Sequence, residues 1–328
     1  MAEIRTTCPY CGVGCGVLAD VAADGRLSVR GDPDHPANRG RLCSKGAALG
    51  ETVGLAGRLL HPMLDGRRVT WDHATATLAA AIADAVEHHG PDSVAFYASG
   101  QLLTEDYYIA NKLMKGFIGS GNIDTNSRLC MASTVAGHRR AFGSDTVPGT
   151  YEDLEQADLV VLVGSNLAWC HPVLHQRLLA AKAARGTRIV VIDPRRTATC
   201  DAADLHLAIR PGSDVALFNG LLAYLSANGH IDAAYTDAHT TGMGEALAAA
   251  RADAPTPEAV AEACGLPLAD LARFFAMATA TPRMVTVFSQ GVNQSAHGTD
   301  KVNAILNVHL LTGRIGRPGS GPFSVTGQ

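Results

Sequence analysis

DLVVLVGSN at residues 158–166 and RIVVIDPR at residues 188–195 decide the fold class. Each is a short run of branched apolar residues halted by small or polar ones, the pattern of a strand buried on both faces. Between them Pro172, suited to a first helical turn, opens a helix through Ala184, and Gly186 ends it. Gly164 and Asp193 lie 29 positions apart, close to one βαβ unit with an acidic residue after its second strand. Two further strands are expected at 205–209 and at 284–288 (MVTVF), separated by a helix over 215–227 and a helical stretch to Ala280. Alternation at this pitch predicts an α/β fold with a parallel, doubly wound sheet.

In such sheets ligands sit beyond the carboxyl ends of the strands. Here the ends carry Gly164-Ser165-Asn166, Asp193-Pro194-Arg195, Arg210-Pro211-Gly212-Ser213-Asp214 and Gln290-Gly291-Val292-Asn293-Gln294. One such loop alone reads as an ordinary turn; four in succession favour a nucleotide-type ligand. Its ribose hydroxyls would meet Asp193 and its phosphates the loop amides and Arg195. No GxGxxG follows a strand, so ordinary NAD binding has little support.

Upstream, residues 69–90 read as an amphipathic helix ended by His88-His89-Gly90, and 93–98 as a short strand. A second helix is expected over 104–118 with Thr104 as its cap. A polar loop over 119–128 then leads to Leu129-Cys130-Met131.

The amino terminus has a different character. Cys8, Cys11 and Cys15 sit in CPYCGVGC, and Cys43 follows 28 positions after Cys15 in RGRLCSKG. Gly12, Gly14 and Gly16 interleave them, allowing the backbone to wrap a compact centre. Soft sulfur donors at this spacing suit an iron–sulfur cluster or zinc, with a disulfide pair third. The cluster leads, because structural zinc more often uses two CxxC pairs and Cys43 has no second partner nearby. Cys130 alone reads as a small buried apolar residue, and Cys170, Cys200 and Cys264 as structural. His171 and His175 stand at i, i+4, but Pro172 between them and the lack of an acidic companion weigh against a metal pair.

At 328 residues the chain has room for two or three domains, and 47% hydrophobic with 18% charged residues is a globular balance. A net charge of −4 argues against nucleic-acid binding, and no run is long enough for a membrane span. Only Met1–Thr7 precede Cys8, and the Arg-Arg pairs are internal, so a signal peptide is not expected and a cytoplasmic location is. Eight cysteines in that compartment point to metal ligation or burial rather than disulfides.

In combination these motifs resemble the amino-terminal part of prokaryotic molybdopterin oxidoreductases, above all the assimilatory nitrate reductases. CPYCGVGC and RGRLCSKGAALGETV resemble the cluster region, and NSRLCMAS the molybdenum loop. VGSNLAWCHPVLHQRL, VIDPRRT and RPGSD resemble nucleotide contacts, and the stretch from Gln290 to Gln328 the pterin region. The resemblance implies a [4Fe–4S] cluster on Cys8, Cys11, Cys15 and Cys43, and molybdenum bis(molybdopterin guanine dinucleotide) with Cys130 as the metal's thiolate. Lys45 would lie on the electron path between cluster and pterin. Gln101 and Asn126 would touch the cofactor. Residues 163–170 (Gly164, Ser165 and Asn166 among them), Asp193, Pro194, Arg195, Arg196, Thr197, Gly212, Ser213, Asp214, Gln290 and Gln294 would bind a guanine dinucleotide.

The implied domains are a cluster domain at 1–57, a first α/β segment at 58–135, a dinucleotide-binding domain at 136–318 and the start of a return segment at 319–328. Family members are much longer, so the rest of one dinucleotide domain and a carboxy-terminal barrel are expected beyond residue 328. The implied reaction is nitrate reduction to nitrite, with ferredoxin, flavodoxin or an NADH-dependent partner as electron donor. A formate dehydrogenase of the same superfamily is the alternative, but there a histidine normally follows the metal-binding residue and here Met131 does. A non-catalytic iron–sulfur carrier would leave the nucleotide-binding half unexplained.

Overall fold

The structure, a computed structural model, describes residues 3–100, 102–126 and 130–325. It forms two compact units, one of Met1–Gly50 with Cys130–Gln328 and one of Glu51–Leu129. These borders differ from the expected 1–57, 58–135, 136–318 and 319–328. The cause is packing: Cys8, Val13, Cys15, Val17 and Ala37 share a buried cluster with Leu154, Leu167 and Val191.

The larger unit begins with an antiparallel sheet of β1 (Glu3–Thr7), β2 (Gly16–Val21) and β3 (Leu27–Gly31), which the sequence reading did not anticipate. Its middle strand buries Val17, Leu18 and Ala19, whereas every residue of β1 is exposed.

The smaller unit holds a ribbon of β4 (Met63–Leu64) and β5 (Arg67–Arg68), a helix over Trp71–His89, and the parallel pair β6 (Phe96–Ala98) and β7 (Ile123–Thr125). Thr70 caps the helix by accepting from His73 N at 3.3 Å. None of the helix's residues is buried, so the expected amphipathic face has no cover. The expected strand at 93–98 begins only at Phe96, because Pro91–Ser93 form a 3-10 turn. Leu103 rather than Thr104 caps the next helix, and its N–H is taken by Asp106 at 3.3 Å. That helix is α over Thr104–Asn111 and π over Lys112–Ile118.

The larger unit's second sheet is parallel and contains β8 (Leu159–Val163), β9 (Arg188–Ile192), β10 (Leu205–Leu207), β11 (Met284–Phe288) and β12 (Gly321–Ser324). The spatial order is β10-β9-β8-β11-β12. The chain therefore winds outward from β8 in one direction, then returns to its other side with β11, as a doubly wound sheet does. Every residue of β8 and β11 is buried, which explains why all of them but Thr286 are apolar. The third strand stops at Leu207 rather than Ile209, since Ile209 N turns back to Leu207 O at 2.9 Å. The helix Pro172–Arg185 carries Pro172 in its first turn and ends at Gly186 in the left-handed region, as expected. The stretch toward Ala280 is four helices: Ala233–His239, Met243–Asp253, Pro257–Cys264 and Leu268–Ala280. The helix Gly298–Leu311 and the edge strand β12 were not anticipated.

Val163, Ile192 and Phe288 end level with one another, so their following loops rise from one edge of the sheet. Between β8 and β11, where the winding reverses, two glycines touch. Gly164 has φ +52°, and a Cβ there would stand 2.7 Å from Gly291 Cα. Gly291 N donates to Gly164 O at 3.0 Å. A side chain at either position would push the two loops apart.

The cysteine-bearing segment is fixed to this sheet by Arg177, whose side chain is fully buried. Its guanidinium donates to Pro36 O at 2.9 Å, Ala37 O at 2.7 Å, Glu155 Oε1 at 2.8 Å and Glu152 Oε1 at 3.2 Å. Burial works against its charge, but the bonds and charges of Glu155 and Glu152 outweigh that and hold its pKa above the ordinary arginine value. Arg39 adds further ion pairs to the same two glutamates, at 3.0 and 2.8 Å. Replacing Arg177 with Met should cost about 2–3 kcal/mol, less than a fully orphaned buried charge because both glutamates stay partly hydrated. Urea unfolding reads this as a lower midpoint; an unchanged midpoint would remove Arg177 as the clamp.

Candidate functional site

Cys8–Cys15 is the loop joining β1 to β2, closed at its base by Cys8 N donating to Cys15 O at 2.9 Å. Gly14, at φ +67°, turns the loop, and its N–H reaches Cys11 O at 3.3 Å. The fourth cysteine is delivered by buried Asn38. Its amide accepts from Gly16 N at 2.8 Å and donates to Gly16 O at 3.0 Å and Arg41 O at 2.8 Å. Cys43 then caps the short helix Ser44–Ala47, where a Cβ on Gly46 would lie 3.8 Å from Cys8 Sγ. The hydroxyl of Tyr151 ties the loop's crest from outside, donating to Gly12 O at 3.1 Å and Val13 O at 3.2 Å.

None of the eight cysteines is in a disulfide. The Cys15 thiol is pushed up to about 12, first by burial and then by the charges of Cys11, Cys8 and Cys43. The other three thiols therefore lie close enough to act on Cys15. Among the described residues no three His, Cys, Asp or Glu side chains converge as a single-ion site. Four thiol sulfurs are the donor set of a [4Fe–4S] cluster, so the residue types present fit one. Lys45 is exposed beside this loop, its Nζ 6.0 Å from the centroid of the Tyr10 ring.

A cleft of about 540 Å³ opens at the carboxyl ends of the parallel strands. Gly164, Asn166, Asp193, Pro194, Arg195, Gly212, Asp214, Gln290 and Gln294 all line it. Asp193 accepts from Arg195 N at 2.8 Å, which folds that loop back on itself. Asn166 accepts from Thr199 Oγ1 at 2.8 Å. Asp214 begins the helix Asp214–Ala227 and is almost buried. Lys301, also almost buried, holds it at 2.6 Å. Such a floor offers carboxylates to hydroxyl or ring N–H donors, and a helix start with an ammonium to phosphate.

Several sequence-expected residues stand outside this lining. Ser165 is buried behind it, and its Oγ has no hydrogen-bond partner among the described residues. Ser213 turns back to Arg210 O at 2.7 Å, Arg196 is exposed, and Thr197 starts the 3-10 turn Ala198–Ala202. Asn126 belongs to the smaller unit, where its Oδ1 accepts from Gly100 N at 2.7 Å; Gln101 lies outside the described residues. Cys170, expected to be structural, is exposed and lines the cleft. Sequence reasoning missed Lys301, Arg177, Tyr151 and Asn38. The role of each comes from a distant partner, and only tertiary contact reveals it.

Cys130 is buried, followed by half-buried Met131 and the helix Ala132–Phe142. Gln290 Nε2 lies 3.1 Å from Cys130 Sγ. The loops carrying them are locked together by Asn293, whose Oδ1 accepts from Thr134 N at 3.0 Å and Thr134 Oγ1 at 2.7 Å. Ser133 Oγ donates to Asn293 O at 2.7 Å. A residue that lines the cleft thus touches the candidate metal thiolate.

Comparison with known proteins agrees with this geometry. The molybdopterin oxidoreductase Fe4S4 domain matches residues 1–54, and molybdopterin oxidoreductase matches residues 58–326. A nitrate reductase of Klebsiella oxytoca is 60% identical over 329 residues, covering 100% of this chain and 37% of that protein. A nitrate reductase of Shewanella frigidimarina is 49% identical, covering 100% of this chain and 36% of its own length. The assimilatory nitrate reductase of Haloferax mediterranei is 38% identical, with 99% and 45% covered. The chain thus spans less than half the length of these relatives. The fold is shared with acetylene hydratase from Pelobacter acetylenicus, at a TM-score of 0.81 and 22% identity, over 94% of this chain and 43% of that one. Matches to its domain models across nearly the whole length make this chain a member of the molybdopterin oxidoreductase family.

Proposed function

We propose that the complete protein reduces nitrate to nitrite, consuming two electrons and two protons and releasing water. The observation that carries this reading is Cys130 in contact with Gln290, which itself lines the nucleotide cleft. Molybdenum, when bound through its two pterin guanine dinucleotides, supplies the two-electron oxygen-atom transfer. Cys130 is its protein thiolate, and Cys8, Cys11, Cys15 and Cys43 hold the [4Fe–4S] cluster that feeds electrons to it. Lys45, beside the cluster loop, is the residue we assign to the path between the two centres. Asp193 and Asp214 receive the ribose or guanine donors, Arg195 and the loop amides the phosphates. Gln101 and Asn126 are further cofactor contacts in this reading.

Met131 supports an oxyanion substrate over formate. Formate oxidation needs a group beside the metal to accept a proton, and imidazole suits that near neutral pH. A thioether cannot titrate; it only shapes and partly dries its surroundings. The nitrate reductases among the relatives support the same substrate. We read the role as assimilatory and the compartment as the cytoplasm, in keeping with eight cysteines of which none is in a disulfide. Ferredoxin, flavodoxin or an NADH-dependent partner is the donor class. No helix among the described residues is long and apolar enough to cross a membrane.

Two outcomes follow. In the full-length protein, Cys130→Ala should abolish nitrate reduction by reduced viologen while the cluster's reduced-state spin signal survives, because the two centres have separate ligands. Formate turnover without nitrite formation by the unaltered protein would overturn the substrate. Asp193→Ala and Asp214→Ala should each lower bound pterin dinucleotide about tenfold, the worth of one charge-assisted hydrogen bond, with iron unchanged. Full dinucleotide content in both variants would contradict the assignment of the cleft.

A further inference from the structure

Gln290 makes a contact that binding a nucleotide does not require. Its Nε2 lies 3.1 Å from Cys130 Sγ, across 160 positions of sequence. A metal-binding thiolate has no proton to give, so the amide's NH2 rather than its oxygen must face the sulfur. That chemistry fixes the orientation of the amide. Its oxygen then points elsewhere, and it is buried with no hydrogen-bond partner among the described residues. Gln290 is the first residue of the short helix Gln290–Asn293, directly beyond β11 where the sheet's winding reverses. Three hydrogen bonds from Ser133 and Thr134 to Asn293 hold this turn against the Cys130 loop, so the N–H···S contact belongs to a locked junction.

We infer that Gln290 is a positioning residue for the metal's thiolate. Its amide nitrogen donates to Cys130 Sγ. The inference rests on the reading that Cys130 binds molybdenum. A hydrogen bond to the sulfur draws charge from it and weakens its donation to the metal. That favours the reduced metal and raises the potential at which it accepts electrons.

The test uses the complete molybdenum-loaded enzyme and two variants. Gln290→Met keeps approximate length and removes both donor and acceptor. Gln290→Glu keeps an acceptor but sets a carboxylate against the sulfur. An anaerobic redox titration, followed through the molybdenum(V) spin signal, should give a lower midpoint potential for Gln290→Met and a still lower one for Gln290→Glu. The g-values should change, while iron content and the cluster signal stay as in the unaltered enzyme. The kcat for nitrate should fall and its KM hold, because the amide does not touch the substrate. A merely structural role would leave potential and spectrum where they were, and that result in both variants overturns the inference. If the unaltered enzyme binds no molybdenum, the underlying reading fails and takes this one with it. If it binds molybdenum and reduces nitrate but Gln290→Met shows no shift, only this inference fails.

Discussion

The buried guanidinium of Arg177 joins two pieces of chain that have little else in common. One is a glycine-rich loop carrying thiols, which cannot fill its own core. The other is a parallel sheet whose strands are buried on both faces. Arg177 reaches from the Pro172–Arg185 helix to the segment that joins that loop's sheet to Cys43 and meets the carbonyls of Pro36 and Ala37. It is balanced from behind by Glu152 and Glu155. Carbonyls in a water-exposed loop would be satisfied by solvent; here they are turned inward and need a donor. That demand fixes the position of Asn38, which in turn aligns the hairpin bearing Cys8 and Cys15 with the segment that brings Cys43.

The second constraint is the crossing of Gly164 and Gly291. Because neither bears a side chain, the loops after β8 and β11 approach closely enough for a backbone hydrogen bond. The reversal of winding opens the cleft, and the crossing sets its depth. Gln290, one residue before the crossing, then sits where it lines the cleft and reaches Cys130. The geometry thus couples the cleft to Cys130 through one side chain, and the cysteine-bearing segment to the same sheet through Arg177.

The legible parts of this fold were those where burial leaves a periodic trace. Leu159–Val163 and Met284–Phe288 are buried throughout and match the sequence-expected strands closely. The loops after them were recognisable because several small or polar residues interrupt apolar runs at one end of the sheet. β1 left no trace, since all five of its residues are exposed and show no inward face. β12 contains Gly321 and Pro322, which argue against a strand anywhere but an edge, and an edge is where it lies. The helix Gly298–Leu311 buries Lys301 and His309 among its apolar residues, which blurs its periodicity. Of the site, the residues with a motif around them were named from sequence. Those whose roles come from a distant partner, such as Lys301 through Asp214 and Tyr151 through the Cys8–Cys15 loop, were not. A lone lysine or arginine in a helix reads as a solvated face until the fold shows what it touches.

The central claim is that one protein carries both an iron–sulfur cluster and molybdenum, on separate sets of thiols. Metal and acid-labile sulfide analysis tests it most directly, on protein purified without air from cells supplied with molybdate. The account predicts iron and sulfide in equal amounts, accompanied by molybdenum. Zinc without sulfide, or iron and sulfide without molybdenum, would contradict it.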